Sequence, residues 1–363
     1  MKIALYGSSL LSSYWNGAAT YYRGILRALA AHGHEICFYE PDAFDRQDHR
    51  DIDPPAWCRV VVYPASPEGV RDVLAEAAAA DVVIKASGVG HADDDLLAGI
   101  MTASRPDALR VFWDVDAPAT LAGIGQPEHP LRRALDELDL VLTYGGGTPV
   151  VSAYTAYGAK ACVPIYNALD SWTHHPVAPE PPFEADLTFL GNRLPDREER
   201  VGTFFLEPAA CLPDRRFLLG GSGWADKGVP GNVTKLGHVP TGSHNALNAS
   251  ARVVLNISRS SMAATGFSPA TRVFEVAGAG ACLMTDAWPG LELFLTPGEE
   301  VVAVRDGADV VEALRSLGLE DTVRIGQAGR QRVLREHTYD RRAVQLDHVL
   351  TFALAAKRSG TSA

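Results

Sequence analysis

The sequence predicts an α/β protein with two Rossmann-like, parallel-sheet domains facing across a cleft. Three observations carry this. Short apolar runs alternate with helical segments through both halves of the chain, the pattern of strands covered on both faces by crossover helices. A stretch holding Pro176, Pro179, Pro181 and Pro182 interrupts the alternation near the middle, as an interdomain linker does. The length of 363 residues suits two domains of roughly 100–200 residues.

Strands are expected over residues 3–6, 36–39, 60–63, 82–85, 109–113, 140–143 and 161–165 in the first half. Helices are expected between them, the first carrying Tyr22, Ile25, Leu26 and Leu29 at helical spacing and stopped by Gly33. The second half repeats the alternation, with strands over 187–190, 217–219, 233–236, 253–257, 282–285 and 301–304. A last helix falls near 341–356. The expected layout is a first domain over 1–167, a linker over 168–185, a second domain over 186–338, and a C-terminal helix over 339–363 that packs back on the first domain and ends in a polar tail. Ligands of open α/β sheets bind beyond the carboxyl ends of strands, so the loops after strands are where chemistry is sought.

Composition excludes several classes. A net charge of −11 argues against general nucleic-acid binding. There is no apolar run of about 18 residues for a membrane helix, and the apolar start is too short for a signal peptide. Five cysteines without C-x-x-C or Cys/His zinc spacing read as free thiols in a reducing cytoplasm. His174-His175 in the linker lacks partner ligands at matching spacing and is read as solvated, so no metal site is expected. The first glycine loop, Gly7 to Gly17, is not G-x-G-x-x-G, which rejects a simple NAD enzyme.

The most informative stretch is Leu255 to Asp286. A strand ends near Ile257, a polar loop carries Arg259 and Gly266, and a helix is expected from Ser268 or Pro269, with Ser as cap and Pro in the first turn. That helix carries Thr271, Arg272 and Glu275. A strand–loop–helix entry aims backbone N–H groups at an anion. Arginines near a helix start make sense when an anionic ligand sits there, and Glu275 one turn on can accept from ribose hydroxyls. The bland alternative is a surface ion pair between Arg272 and Glu275.

This segment resembles the donor-binding core of GT-B glycosyltransferases, most of all the spore-maturation CgeB-like family. That family carries R-x-F-E-x-x-A-x-G before a strand ending in T-D. Here the matching residues are Arg272, Phe274, Glu275, Ala277 or Gly278, Gly280, then Thr285-Asp286. The tail from Gly329 to Tyr339 is similar to that family's C-terminal helix. The resemblance covers about residues 187–350. It implies a nucleotide diphosphate sugar as co-substrate, UDP or TDP type favoured, and no other cofactor. It places Asn192 and Arg193 near the diphosphate or sugar, and His238 near the nucleobase. Gly221 and Trp224, in a glycine-rich loop, fit the same cradle. Many retaining GT-B enzymes carry a Glu before a G-F-G turn and a second one seven residues later. Thr265 precedes Gly266-Phe267-Ser268 here, so that pattern is absent and the stereochemistry stays open.

The first half is then expected to bind the acceptor, through Ser9, Tyr14, Trp15, Asn16 and Gly17 after the first strand. Asp114 and Asp116 follow another strand end, and one of them could be the general base; His91 is the other candidate. The reading is a cytoplasmic, metal-independent glycosyltransferase (hexosyltransferase-like) whose partners are a nucleotide-sugar donor and an acceptor. A nucleotide-sugar epimerase and a non-catalytic binding protein compete with it.

Overall fold

The apolar runs fold as parallel strands. The computed structural model describes residues 1–13, 17–88 and 90–360. It divides the chain into one unit of Met1–Tyr166 with Tyr339–Ala363 and a second of Asn167–Thr338.

In chain order, the first unit contains β1 (Lys2–Tyr6), α1 (Ala18–Ala31), β2 (Glu35–Asp42), β3 (Arg59–Pro64), α2 (Pro67–Ala75), β4 (Val82–Ala86), α3 (Asp93–Ala103), β5 (Leu109–Asp114), α4 (Ala117–Ile124), α5 (Pro130–Ala134), β6 (Leu140–Thr143), α6 (Gly147–Ala156) and β7 (Cys162–Pro164). Among the described residues these strands form one seven-stranded parallel sheet in the order β3-β2-β1-β4-β5-β6-β7. The direction of winding reverses between β1 and β4. Loops after those two strands therefore flank the crevice where ligands of such sheets bind.

The second unit contains β8 (Ala185–Leu190), α7 (Pro195–Val201), α8 (Glu207–Cys211), β9 (Phe217–Gly220), β10 (Val233–Gly237), α9 (His244–Ser250), β11 (Ala251–Asn256), α10 (Ser260–Thr265), α11 (Thr271–Gly278), β12 (Leu283–Asp286), β13 (Val302–Val304), α12 (Gly307–Ser316) and α13 (Leu319–Glu336). A π turn over Gly202–Leu206 joins α7 to α8. The six strands order as β10-β9-β8-β11-β12-β13, so the winding reverses between β8 and β11. The core under this sheet gathers Leu187, Phe189, Phe205, Phe217, Val253, Leu255 and Met284.

The final helix, α14 (Tyr339–Ser359), belongs to the first unit and lies along α1. Gly24 makes the close approach possible, because a Cβ there would sit 2.1 Å from the Tyr339 ring. Around it, Trp113 Nε1 donates to the Tyr21 hydroxyl at 3.2 Å, which in turn donates to the Ile165 carbonyl at 2.6 Å. Gly24→Ala is expected to cost about 1–3 kcal/mol through overpacking, read as a lower denaturant midpoint together with faster proteolysis of the C-terminal segment. Among the described residues, no helix is long and apolar enough to cross a membrane. Of the five cysteines, Cys58 and Cys282 are buried, whereas Cys211 is exposed.

Candidate functional site

The second unit concentrates cations at its switch point. α7, after β8, brings in Arg197; the loop after β11 brings Arg259; and α11 brings Arg272. Arg197 Nη1 lies 2.9 Å from where a Cβ on Gly191 would stand, so its guanidinium sits against the loop that follows β8. Burial pushes the Arg197 group below the usual arginine range; Asp196 and Asp286 oppose this, while Arg259 and Arg272 push it further down. Arg197 feels both other guanidiniums, and arginines grouped in this way suit a multivalent anion. Arg197 Nε and Arg272 Nη1 are buried without a hydrogen-bond partner. Arg259 Nε donates to Asp196 at 2.6 Å.

Local sequence sets this geometry. Asp286, at the end of β12, is 1% exposed and accepts from Arg200 at 2.6 Å. Its other oxygen accepts from the Ser258 N–H at 2.9 Å. The Thr285-Asp286 pair thereby fixes the loop that carries Arg259. Helix α11 starts at Thr271, not at Ser268. Ser268 does not cap it, since its hydroxyl donates to the Gly266 carbonyl at 2.9 Å. Ser268 precedes a proline, which holds it extended. The Pro269 carbonyl accepts from the Asn167 side chain at 2.9 Å. Gly266 and Phe267 turn the chain here with φ of 71° and 50°, a left-handed pair that is strained at the phenylalanine. Ala270 is the capping position and supplies no side-chain bond, so the first turn of α11 keeps N–H groups without side-chain acceptors.

Glu275, one turn into α11, is 9% exposed at its side chain and faces Arg272 Nη1 at 3.6 Å. His174 Nε2 stands 3.9 Å from its other oxygen. Burial pushes this carboxyl up, but His174, Arg272 and His244 together outweigh it and hold the group below the usual range. Burial, then Arg272, pushes the neighbouring His244 ring down to about 4. The expectation of a solvated His174 is corrected here. The side chain is 4% exposed, because the turn around Asp170 folds it inward against α9 and α11; His175 is exposed as expected.

The loops after β8, β9 and β10 are laced together. Asn192 Oδ1 accepts from the Ser222 N–H at 3.0 Å, and the Gly221 N–H donates to the Gly237 carbonyl at 2.7 Å. Gly221 has φ of 116°, and a Cβ on it would lie 2.2 Å from the Gly191 carbonyl, so no side chain fits. Trp224 is 2% exposed and donates from Nε1 to the Gly191 carbonyl at 2.8 Å. It is a core residue tying two loops, which corrects the expectation that its side chain lines the nucleotide cradle. Arg193 is held by Glu198 at 2.8 Å and Asp226 at 3.0 Å; those carboxylates engage it and leave Arg197, which sequence reasoning missed, as the better-placed cation. His238 is exposed next to this lacing.

In the first unit, the loop after β1 folds over Glu40. This fully buried carboxylate accepts from Ser9 Oγ at 3.2 Å and from the Leu11 N–H at 3.2 Å. Ser9 is itself buried, with 0% exposure. Gly17 is exposed at the entry to α1. Tyr14, Trp15 and Asn16 lie outside the described residues. Asp114 is fully enclosed. It accepts from Ser87 Oγ at 2.8 Å, Thr120 Oγ1 at 2.8 Å, the Asp116 N–H at 3.0 Å and Tyr154 Oη at 2.6 Å. Burial pushes its carboxyl above the usual range despite those donors. A carboxylate so surrounded organises the loop, and a base must reach substrate. Asp116, half-buried at the start of α4, and half-buried His91, in the loop after β4, occupy more open positions.

Comparison with known proteins speaks to the fold. Residues 197–348 match a family model described as glycosyl transferase-like. The structure is similar to sucrose-phosphate synthase from Thermosynechococcus elongatus, at 16% identity and a TM-score of 0.70 over 98% of this chain and 100% of that one. It is also similar to HepE of Anabaena in complex with UDP and glucose, at 15% identity and a TM-score of 0.68 over 97% of this chain and 99% of that one. The chain has the GT-B fold. AviGT4, a glycosyltransferase involved in avilamycin A biosynthesis, shares it at 18% identity and a TM-score of 0.62, with 98% of both chains covered. No curated protein matches the chain.

Proposed function

We propose that this GT-B chain is a glycosyltransferase that moves a sugar from a nucleotide diphosphate sugar, UDP or TDP type, to an acceptor. The observation that carries the reading is the convergence of Arg197, Arg259 and Arg272 on the β8/β11 switch point, with the ionised Glu275 a turn beyond. Three cations at this switch point suit a diphosphate, and Glu275 suits the vicinal hydroxyls of a ribose. As the glycosidic bond breaks, negative charge grows on the diphosphate; arginines already in place stabilise it in the role a metal ion plays elsewhere. The match of residues 197–348 to a glycosyl transferase-like model and the UDP-bound HepE neighbour support the assignment. The motif from Arg272 to Asp286 supports placing the chain near the CgeB-like family. The first unit is assigned to the acceptor. If the reaction inverts, Asp116 or His91 is the base; if it retains, the donor phosphate itself takes the proton and neither is needed.

The test is a thermal-shift screen against UDP, GDP, TDP, ADP and CMP, with Arg272→Ala beside the wild type. A ligand at a hundredfold its Kd stabilises by about 2.7 kcal/mol, a Tm rise of about 5–10 °C. Selective stabilisation by UDP or TDP, lost in Arg272→Ala, is the expected result. No shift with any nucleotide at millimolar concentration overturns the reading. Incubation with donor alone separates the epimerase, which would release an isomerised sugar nucleotide without acceptor.

A further inference from the structure

Among the described residues, three side chains from separate elements bring metal-binding atoms together: His174, His244 and Glu275, with their donor atoms all within 4.8 Å of one another. His174 is presented by the turn after Asp170, whose carboxylate accepts from the Trp172 N–H at 3.0 Å and the Thr173 hydroxyl at 3.1 Å. Asn245, beside His244 on α9, latches that turn by donating to the Thr173 carbonyl at 2.8 Å. The two imidazoles are therefore fixed relative to each other, with ring centroids 6.2 Å apart. Glu275 enters from α11.

The hydrogen bonding of these groups leaves one donor atom of each histidine toward the cluster. His244 Nε2 faces the Val239 carbonyl at 3.2 Å. A carbonyl only accepts, so Nε2 carries the proton and Nδ1 holds the lone pair. Metal-bound histidines are oriented this way, by donating the far ring N–H to a backbone carbonyl. His244 Nδ1 and His174 Nε2 are both buried without a hydrogen-bond partner. The Glu275 carboxylate divides its oxygens, Oε2 toward Arg272 at 3.6 Å and Oε1 toward His174 at 3.9 Å. One oxygen is thus screened by the guanidinium while the other points into the histidine pair.

We propose that His174, His244 and Glu275 form a binding site for a divalent transition-metal ion, zinc in the first instance. Two imidazoles and one carboxylate are a recurring zinc donor set that leaves a fourth position open. Imidazole nitrogen favours zinc, cobalt, nickel or copper, whereas magnesium and calcium take oxygen ligands. Ligation at about 2.0–2.2 Å draws the three side chains inward by small rotations. The site does not depend on the nucleotide reading. One corollary does rest on it: a metal held by Glu275 takes that carboxylate from the ribose, so zinc competes with nucleotide and inhibits transfer.

The full chain, freed of any affinity tag and of nucleotide, is titrated with Zn2+ by calorimetry and with Co2+ by visible absorption. One equivalent per chain is expected, with a tetrahedral-type cobalt spectrum. His174→Ala, His244→Ala and Glu275→Gln are each expected to weaken binding at least tenfold, and Mg2+ to give no heat. His175→Ala, one residue away and exposed, keeps the affinity. Unperturbed melting of each variant shows that it is folded. No binding at 100 µM Zn2+, or binding that the three variants leave unchanged, overturns the site. Zinc binding with no nucleotide binding overturns the proposed function and leaves the metal site standing.

Discussion

Arg197→Met is expected to abolish the nucleotide-induced rise in Tm and lower kcat/KM about 10²–10³-fold, the usual consequence of removing one donor that stabilises developing charge. It is also expected to leave the ligand-free protein at least as stable as the wild type. The second half of that expectation is the diagnostic one. Arg197 Nε is buried without a partner, and Arg259 and Arg272 add like charge beside it. Asp196 and Asp286 offset this in part, but burial and like charge together hold the group below the usual arginine range; such a cation opposes folding, and a methionine of similar length fills the space without the charge. Such an arrangement is useful only when an anion completes it. Arg200, one turn along α7, is the control. Its guanidinium donates to Asp286 at 2.6 Å and to the Ser258 carbonyl at 3.1 Å. Arg200→Met leaves a buried carboxylate unpaired and is expected to cost about 3–5 kcal/mol. Melting curves with and without nucleotide separate the two. If Arg197→Met lost stability as Arg200→Met does, yet still responded to nucleotide, Arg197 would be structural and the anion site misplaced.

Arg197 carries no distinguishing signal in the sequence, unlike the strands around it. The central strands were legible because they are apolar runs buried on both faces, as β4, β6, β8 and β11 show, while the edge strands β3 and β10 are partly exposed. The start of α7, Pro195-Asp196-Arg197-Glu198-Glu199-Arg200, is charged throughout and carries no strand or core signal of its own. Its inward face shows only when Val201 and Phe204 are added, four and seven residues after Arg197, because those two enter the core. Trp224 was misread for the opposite reason. A tryptophan among glycines suggests a side chain lining the cradle, but its indole N–H donates to the Gly191 carbonyl and the ring is buried. Ser268-Pro269 carries a helix-start pattern, yet the left-handed turn at Gly266-Phe267 delays the helix to Thr271. The grouping of His174, His244 and Glu275 spans a hundred residues of sequence, and only the fold brings them together. Arg272 and Glu275 were legible, because their charge stands against an otherwise apolar helix.

The second large effect concerns stability of the first unit. Asp93→Ala is expected to destabilise it by about 3 kcal/mol, the lower end for leaving a buried charge without its partner. Lys85 lies on the central strand β4 with 4% of its side chain exposed, and its ammonium meets Asp93 at 2.5 Å. It also donates to the Ala86 carbonyl. Burial pushes the Lys85 group below the usual lysine range, and Asp93, then Asp94, pull it back. Water reaches the Asp93 side, where 39% is exposed, which keeps the loss from the upper end of the range. For a unit of this size the change corresponds to a Tm lower by about 6–12 °C. The pH dependence has a definite sign. A lysine whose folded pKa is depressed binds more protons when unfolded, so stability rises with pH between the folded value and the unfolded value of about 10.4. Without Asp93 the depression deepens and that window widens, so the deficit of the variant is largest at neutral pH and shrinks as pH approaches 10. The double variant Lys85→Met, Asp93→Leu removes the charge together with its partner and is expected to recover most of the loss. Denaturant midpoints for wild type, Asp93→Ala and the double variant at pH 7 and pH 9.5 test this. A pH-independent deficit would mean that Asp93 acts through its other bond, to the Gly90 N–H at 3.1 Å, which holds the His91 loop after β4; in that case activity, not stability, would carry the larger effect.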